Sequence, residues 1–277
     1  MKRNPISPWI PRTMVLLLLW AALPAGRAHI TYSGRNFGTF VGGESPVTIS
    51  GQTVSSNFGW VDAADGNYGD SHRTRAYRFT LLTPASVTVA FTGATGFFPG
   101  FSLFSGLAHV APSLADHDAT AISQAYLAGL GGGPYDGSLN ALGNWAIGND
   151  DDTVNSIPAS LSYLTYVGYA ADGQATSYGS GPALVTDGVA DNFVSGTFVL
   201  AAGDYSIFVG GQDYSARGPI TLGLNSLNGS SYTTFGVTAQ LTVLAVPEPA
   251  TMSLVGIAVV FLGGWRWRRL KLRLQAD

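Results

Sequence analysis

The chain has 277 residues, a formal charge of −3, 36 glycines and no cysteine. Without cysteine it has no disulfides and no thiol catalysis, so its stability must come from a packed core or from bound ions. Only 11% of its residues are charged and 46% are hydrophobic, which excludes a disordered polyelectrolyte.

Lys2, Arg3 and Arg12 form a basic leader, and Met14 to Leu23 is a ten-residue apolar run. Pro24-Ala25-Gly26-Arg27-Ala28 follows, with small residues where a signal peptidase cuts. Residues 1–28 read as a secretory signal, its helix too short to span a bilayer comfortably. Cleavage after Ala28 would leave His29 as the mature N-terminus.

The body, residues 29–245, differs in charge from the whole chain. It holds five arginines (Arg35, Arg73, Arg75, Arg78, Arg217), no lysine and fifteen acidic residues, a balance of −10. That charge repels phosphates, so nucleic acid is not an expected partner. Carboxylates in such numbers invite divalent cations.

Short β-branched and aromatic runs alternate with Gly, Pro, Asn and Asp turns along this body. Strands are expected at 76–82, 86–92, 101–104, 161–169, 196–200, 205–209, 220–224 and 235–244. Thr83-Pro84-Ala85 turns the chain between the first two, and 197–209 reads as strand–turn–strand. The fold class is all-β: an antiparallel β-sandwich or jelly roll, between a signal helix and a C-terminal transmembrane helix. Residues 105–145 form a long connection with one short helix expected around 119–130. Residues 171–193 are a second Gly/Ser/Asp-rich excursion, the kind of loop on which binding usually sits.

Asp150, Asp151 and Asp152 form the densest acidic run and are the candidate Ca²⁺ ligands. A solvated acidic turn is the competing reading, since the downstream glutamate of an EF-hand loop is missing. The stretch from Asp62 to Asp70 offers a similar choice, with a plain Asx turn favoured. An N-terminal His29 with His72, His109 or His117 could chelate copper, as in lytic polysaccharide monooxygenases, although nothing else after His29 resembles those enzymes. No Gly-x-Ser-x-Gly elbow and no His-Glu-x-x-His motif occur, and Glu44 is the body's sole glutamate, so no enzyme is expected. Phe58, Trp60, Phe97, Phe98 and Trp145 offer themselves either as sugar-stacking platforms or as core, and core is the favoured reading.

Residues 246–277 form a three-part device. Pro247-Glu248-Pro249 holds the backbone extended, because each proline lacks an N–H and pushes its predecessor out of the α region. Residues 250–265 carry no charge and cover roughly 24 Å as a helix. Arg266, Arg268, Arg269, Lys271 and Arg273, within the basic tail 266–273, then act as a cytoplasmic membrane stop.

This tail resembles the PEP-CTERM sorting signal of Gram-negative bacteria. The resemblance implies export across the inner membrane, transient anchoring and recognition by an exosortase-type transpeptidase, with a final place at the cell surface or outside the cell, either free or attached. More weakly, the 75–92, 101–104, 146–152 and 201–209 segments resemble pre-peptidase C-terminal-type β-sandwich domains, with longer connections here. The expected role is structural or adhesive and non-catalytic, associated with exopolysaccharide and steadied by Ca²⁺. A carbohydrate-binding module and a secreted polysaccharide-active enzyme stay open as alternatives.

Overall fold

Alternation dictates the clearest strand. In β5 (Ala85–Gly93), Ala85, Val87, Val89 and Phe91 are buried while Ser86, Thr88 and Ala90 between them are half-exposed. A strand so patterned turns one face to a core and the other to water. The computed structural model describes residues 30–60, 68–108, 138–149, 160–173, 184–212 and 233–246. The signal segment, the strand expected at 220–224, the helix expected at 119–130 and the tail from Pro247 onward lie outside them.

Among the described residues the chain is all β, apart from one 3₁₀ turn at Ser71–Arg73. One sheet has four strands in the order β10 (Phe193–Leu200), β5, β12 (Thr234–Ala245), β2 (Val47–Ser55). The facing sheet has six, in the order β1 (Asn36–Phe40), β4 (Arg75–Leu81), β11 (Gly203–Gly211), β6 (Pro99–Ser105), β9 (Ser160–Ala171), β8 (Trp145–Asn149). A two-stranded ribbon joins β3 (Tyr68–Asp70) to β7 (Ser138–Asn140).

Register builds the core row by row. On the four-stranded sheet Val194, Phe91 and Ala239 stand abreast, as do Phe198, Val87 and Val243. Opposite them lie Tyr77, Ile207 and Leu103, then Val209 and Phe101. The two inner faces form a single buried cluster, which makes this a sandwich.

The six-stranded sheet is covered on both faces. Its outer side carries a second cluster containing Trp60, Phe104, Leu139, Trp145, Ile147, Leu164 and Phe208. Strand β11 is consequently buried at every residue from Tyr205 to Gly211 and shows no alternation. Trp60 lies over Gly100, where even a Cβ would come within 2.2 Å of the indole, and its ring N–H donates to Ser102 Oγ at 2.7 Å.

One feature departs from the sequence expectation. β1 pairs parallel to β4, against the all-antiparallel reading. The chain crosses to the opposite sheet as β2 between them, and such a crossover is what a parallel pair requires. The strand–turn–strand units 76–92 and 197–209 are found as expected, and in each the turn carries the chain from one sheet to the other.

Candidate metal centre

At the end of β9 the chain leaves the sheet as Ala171-Asp172-Gly173, and it returns to β10 through Asp187-Gly188 and Asp191-Asn192. Each aspartate is followed by a residue in left-handed backbone conformation: Gly173 at φ +94°, Gly188 at +84° and Asn192 at +66°. Gly and Asn are the residues that adopt this conformation at little cost, so these dipeptides punctuate the chain into tight turns.

The turns converge. One carboxylate oxygen from each of Asp172, Asp187 and Asp191 lies within 4.8 Å of the others. Asp172 is fully buried, whereas Asp187 and Asp191 are exposed, so the group reaches from the interior to the surface.

Backbone bonds hold the frame. Asp172 N–H donates to Pro99 O at 2.9 Å, and Asp187 N–H donates to Ala171 O at 3.0 Å. Gly188 N–H donates to Gly173 O at 3.0 Å. The Gln212 amide, at the end of β11, donates to Asp172 O. Asp172 Oδ1 accepts from Asp191 N–H at 3.2 Å, and Asp187 Oδ1 from Gly173 and Val189 N–H, each at 3.1 Å. Asp191 Oδ1 accepts from Phe193 N–H at 3.2 Å. Asp172 Oδ2 is buried and has no hydrogen-bond partner.

Such an oxygen is unusual, since a buried carboxylate normally has every lone pair engaged or a counter-charge beside it. Here burial, with the carboxylates of Asp187 and Asp191 adding to it, pushes the Asp172 carboxyl up to about 6. No arginine pairs with any of the three among the described residues. The arrangement can accept a proton or a hard cation, and the donor set is oxygen only.

Two arginine side chains elsewhere are engaged by partners. Arg73 Nε donates to Asp70 Oδ2 at 3.0 Å in a buried pair, and the guanidinium lies 4.9 Å from the Phe58 ring centroid. Asp70, the last acidic residue of the 62–70 stretch, is therefore an arginine partner, while Asp62 and Asp65 lie outside the described residues. Arg35 donates to Ala76 O, Thr31 O and Gln52 Oε1, at 2.9, 2.7 and 3.1 Å.

The acidic run read from sequence, Asp150-Asp151-Asp152, lies outside the described residues, as do His29, His109 and His117. His72 falls in the 3₁₀ turn. Phe58, Trp60, Phe97 and Trp145 are buried, as core residues and not as exposed stacking platforms. The 171–193 excursion carries this carboxylate cluster, which sequence reading of its three aspartates does not single out. The signal available was the dipeptide set Asp-Gly, Asp-Gly, Asp-Asn at the two ends of one loop.

Immediately after the sandwich, residues 245–269 match the PEP-CTERM protein-sorting motif. The chain carries this sorting signal. The signal marks an exported protein that an exosortase sorts and that passes through a membrane-anchored stage. Its span takes in Pro247, Glu248, Pro249, the apolar run and Arg266, Arg268 and Arg269. Among the described residues no helix is long and apolar enough to cross a membrane.

Three solved structures are similar to the chain. CorA of Methylomicrobium album BG8, a surface-associated copper-binding protein important in copper acquisition, is 18% identical; the match covers 76% of this chain and 98% of that one, with a TM-score of 0.44. The secreted protein MopE of Methylococcus capsulatus, in which an oxidized tryptophan facilitates copper binding, is 15% identical; the match covers 76% and 87%, with a TM-score of 0.37. The pre-peptidase C-terminal domain of a Bacillus anthracis collagenase is 12% identical over 76% and 92%, with a TM-score of 0.25. No curated protein matches the chain.

Proposed function

We infer that this protein is a non-catalytic component of the cell surface or extracellular matrix, delivered by exosortase-type sorting and associated there with exopolysaccharide. The observation that carries this reading is the position of the sorting motif: its first matched residue, Ala245, is also the last residue of β12. Processing at Pro247-Glu248-Pro249 therefore falls outside the sheet and leaves every described strand intact. In this scheme residues 250–265 hold the chain in the membrane and the basic tail keeps its end cytoplasmic. A body of charge −10 without lysine stays in solution near anionic headgroups and does not adhere to them.

Replacing Pro247, Glu248 and Pro249 together by alanine tests the sorting step. The variant should accumulate unprocessed in the membrane fraction, as read by fractionation and mass spectrometry of the C-terminus. Normal maturation of that variant would sink the proposal. The matrix role is checked separately by co-sedimentation of the processed protein with isolated exopolysaccharide.

A further inference from the structure

The unpartnered oxygen of Asp172 is a different matter from the sorting signal, and it points to a ligand. A buried carboxylate with two more carboxylates at its side, and no cation beside it among the described residues, is an electrostatically incomplete arrangement. Oxygens on opposite sides of one calcium ion, bound at ~2.4 Å, stand about 4.8 Å apart. Three oxygens within 4.8 Å of one another lie no more than about 2.8 Å from a common centre, so a few tenths of an ångström of closure by the loop brings all three to calcium-bonding distance.

We propose that Asp172, Asp187 and Asp191 form a calcium site that clamps the 184–192 segment onto the end of the sandwich. Asp172 is fixed from behind by Pro99 of β6 and Gln212 beyond β11, so it supplies a rigid ligand on the sheet. Asp187 and Asp191 supply ligands from the returning loop. The described hydrogen bonds land on the Oδ1 atoms, which orients the carboxylates without occupying Asp172 Oδ2. The ion's remaining positions face the exposed end and are filled by water. All-oxygen ligation of this kind selects calcium over copper or zinc. With two of the three ligands exposed, affinity belongs to the range of extracellular modules, with Kd on the order of 10⁻⁴–10⁻³ M.

The test uses the purified full-length chain, stripped with EDTA and titrated with CaCl₂ by calorimetry and by thermal melting. One calcium per chain should bind, with a rise in Tm of several degrees at millimolar CaCl₂ and a smaller effect of MgCl₂. Asp172→Asn, which keeps the side-chain shape, should weaken binding at least ~10-fold. Asp191→Asn, at an exposed position, should do the same and guards against a folding defect in the first variant. Asp150→Asn/Asp151→Asn/Asp152→Asn should leave binding unchanged. Absence of heat and of any Tm shift, wild-type affinity in both single variants, or loss of binding in the triple variant overturns the assignment. Preferential CuCl₂ binding lost in Asp172→Asn overturns the choice of metal.

Discussion

Phe101→Ala should lower the stability of the sandwich by about 3–5 kcal/mol, the usual range for emptying a fully buried aromatic site. Phe101 is wholly inaccessible and sits mid-sheet, between Val209 of β11 and Ala170 of β9. Its ring lies 5.3 Å from that of Phe91 and 6.3 Å from that of Phe198, both on the opposing sheet. Removing it therefore opens a void that neither sheet can close without moving its partner. Urea unfolding followed by tryptophan fluorescence should show the midpoint falling by roughly 2 M at unchanged slope. Val199→Ala is the reference: that side chain is 77% exposed on the outer face of the four-stranded sheet and should change stability by no more than about 0.5 kcal/mol. Equal effects of the two substitutions would contradict a core shared between the sheets.

The second large effect has the opposite sign. In EDTA at pH 7.5, Asp172→Asn should stabilise the protein. The shift from 3.8 to about 6 sets a ceiling of roughly 3 kcal/mol, and screening by water at the exposed Asp187 and Asp191 lowers it to about 1–2 kcal/mol, or ~2–8 °C in Tm. The folded protein holds the Asp172 proton up to about pH 6, whereas the unfolded chain releases it near 3.8. Folding thus favours the protonated form, and the metal-free wild type loses stability as pH rises through the interval from about 4 to about 6. Below about 3 both states are protonated and the penalty is absent; above about 6 it is nearly complete. Burial is its main source, with the carboxylates of Asp187 and Asp191 adding repulsion. The asparagine variant carries no such charge, so its advantage should shrink to about a fifth at pH 4 and be reversed by calcium at pH 7.5. Identical melting of the two proteins in EDTA at both pH values would remove the basis for this reading.

What the sequence revealed follows a physical dividing line. β5 and β12 alternate because one face of their sheet meets water, and their pattern is visible in Val87, Val89 and Phe91 and in Val237, Ala239, Leu241 and Val243. β11 was found from its aromatic and β-branched content, since burial on both faces erases the period. The short β1, β3, β7 and β8, and the glycine-interrupted β2, have too little local preference to stand out and are set by their pairing partners. Turn residues located the bends at Thr83-Pro84 and Ala201-Ala202, yet gave no information on whether the chain doubled back within a sheet or crossed to the other. The aspartate site has the same character. Asp172 lies 15 positions before Asp187, and only the closure of the loop between β9 and β10 brings them together. Contiguity drew attention to Asp150-Asp151-Asp152, although neighbours in sequence tend to diverge in an extended chain.

Strand β12 gives the fold a mechanical orientation. It is bonded on both sides, to β5 from Val237↔Gly93 to Ala245↔Ala85 and to β2 from Thr234↔Ser55 to Leu241↔Val47. The Val41-Gly42-Gly43 turn closes over its exit: Gly43 N–H donates to Val243 O at 2.9 Å, and Glu44 accepts the N–H groups of Val41 and Gly42. Gly42 packs so near Ala245 that a Cβ there would come within 2.8 Å of its backbone. A chain tethered through its C-terminal end would pass tension straight along this strand. The load would then fall on two ladders at once, in shear, and not on one bond at a time as in peeling an edge. The sorting motif thus continues directly from a strand held on both sides.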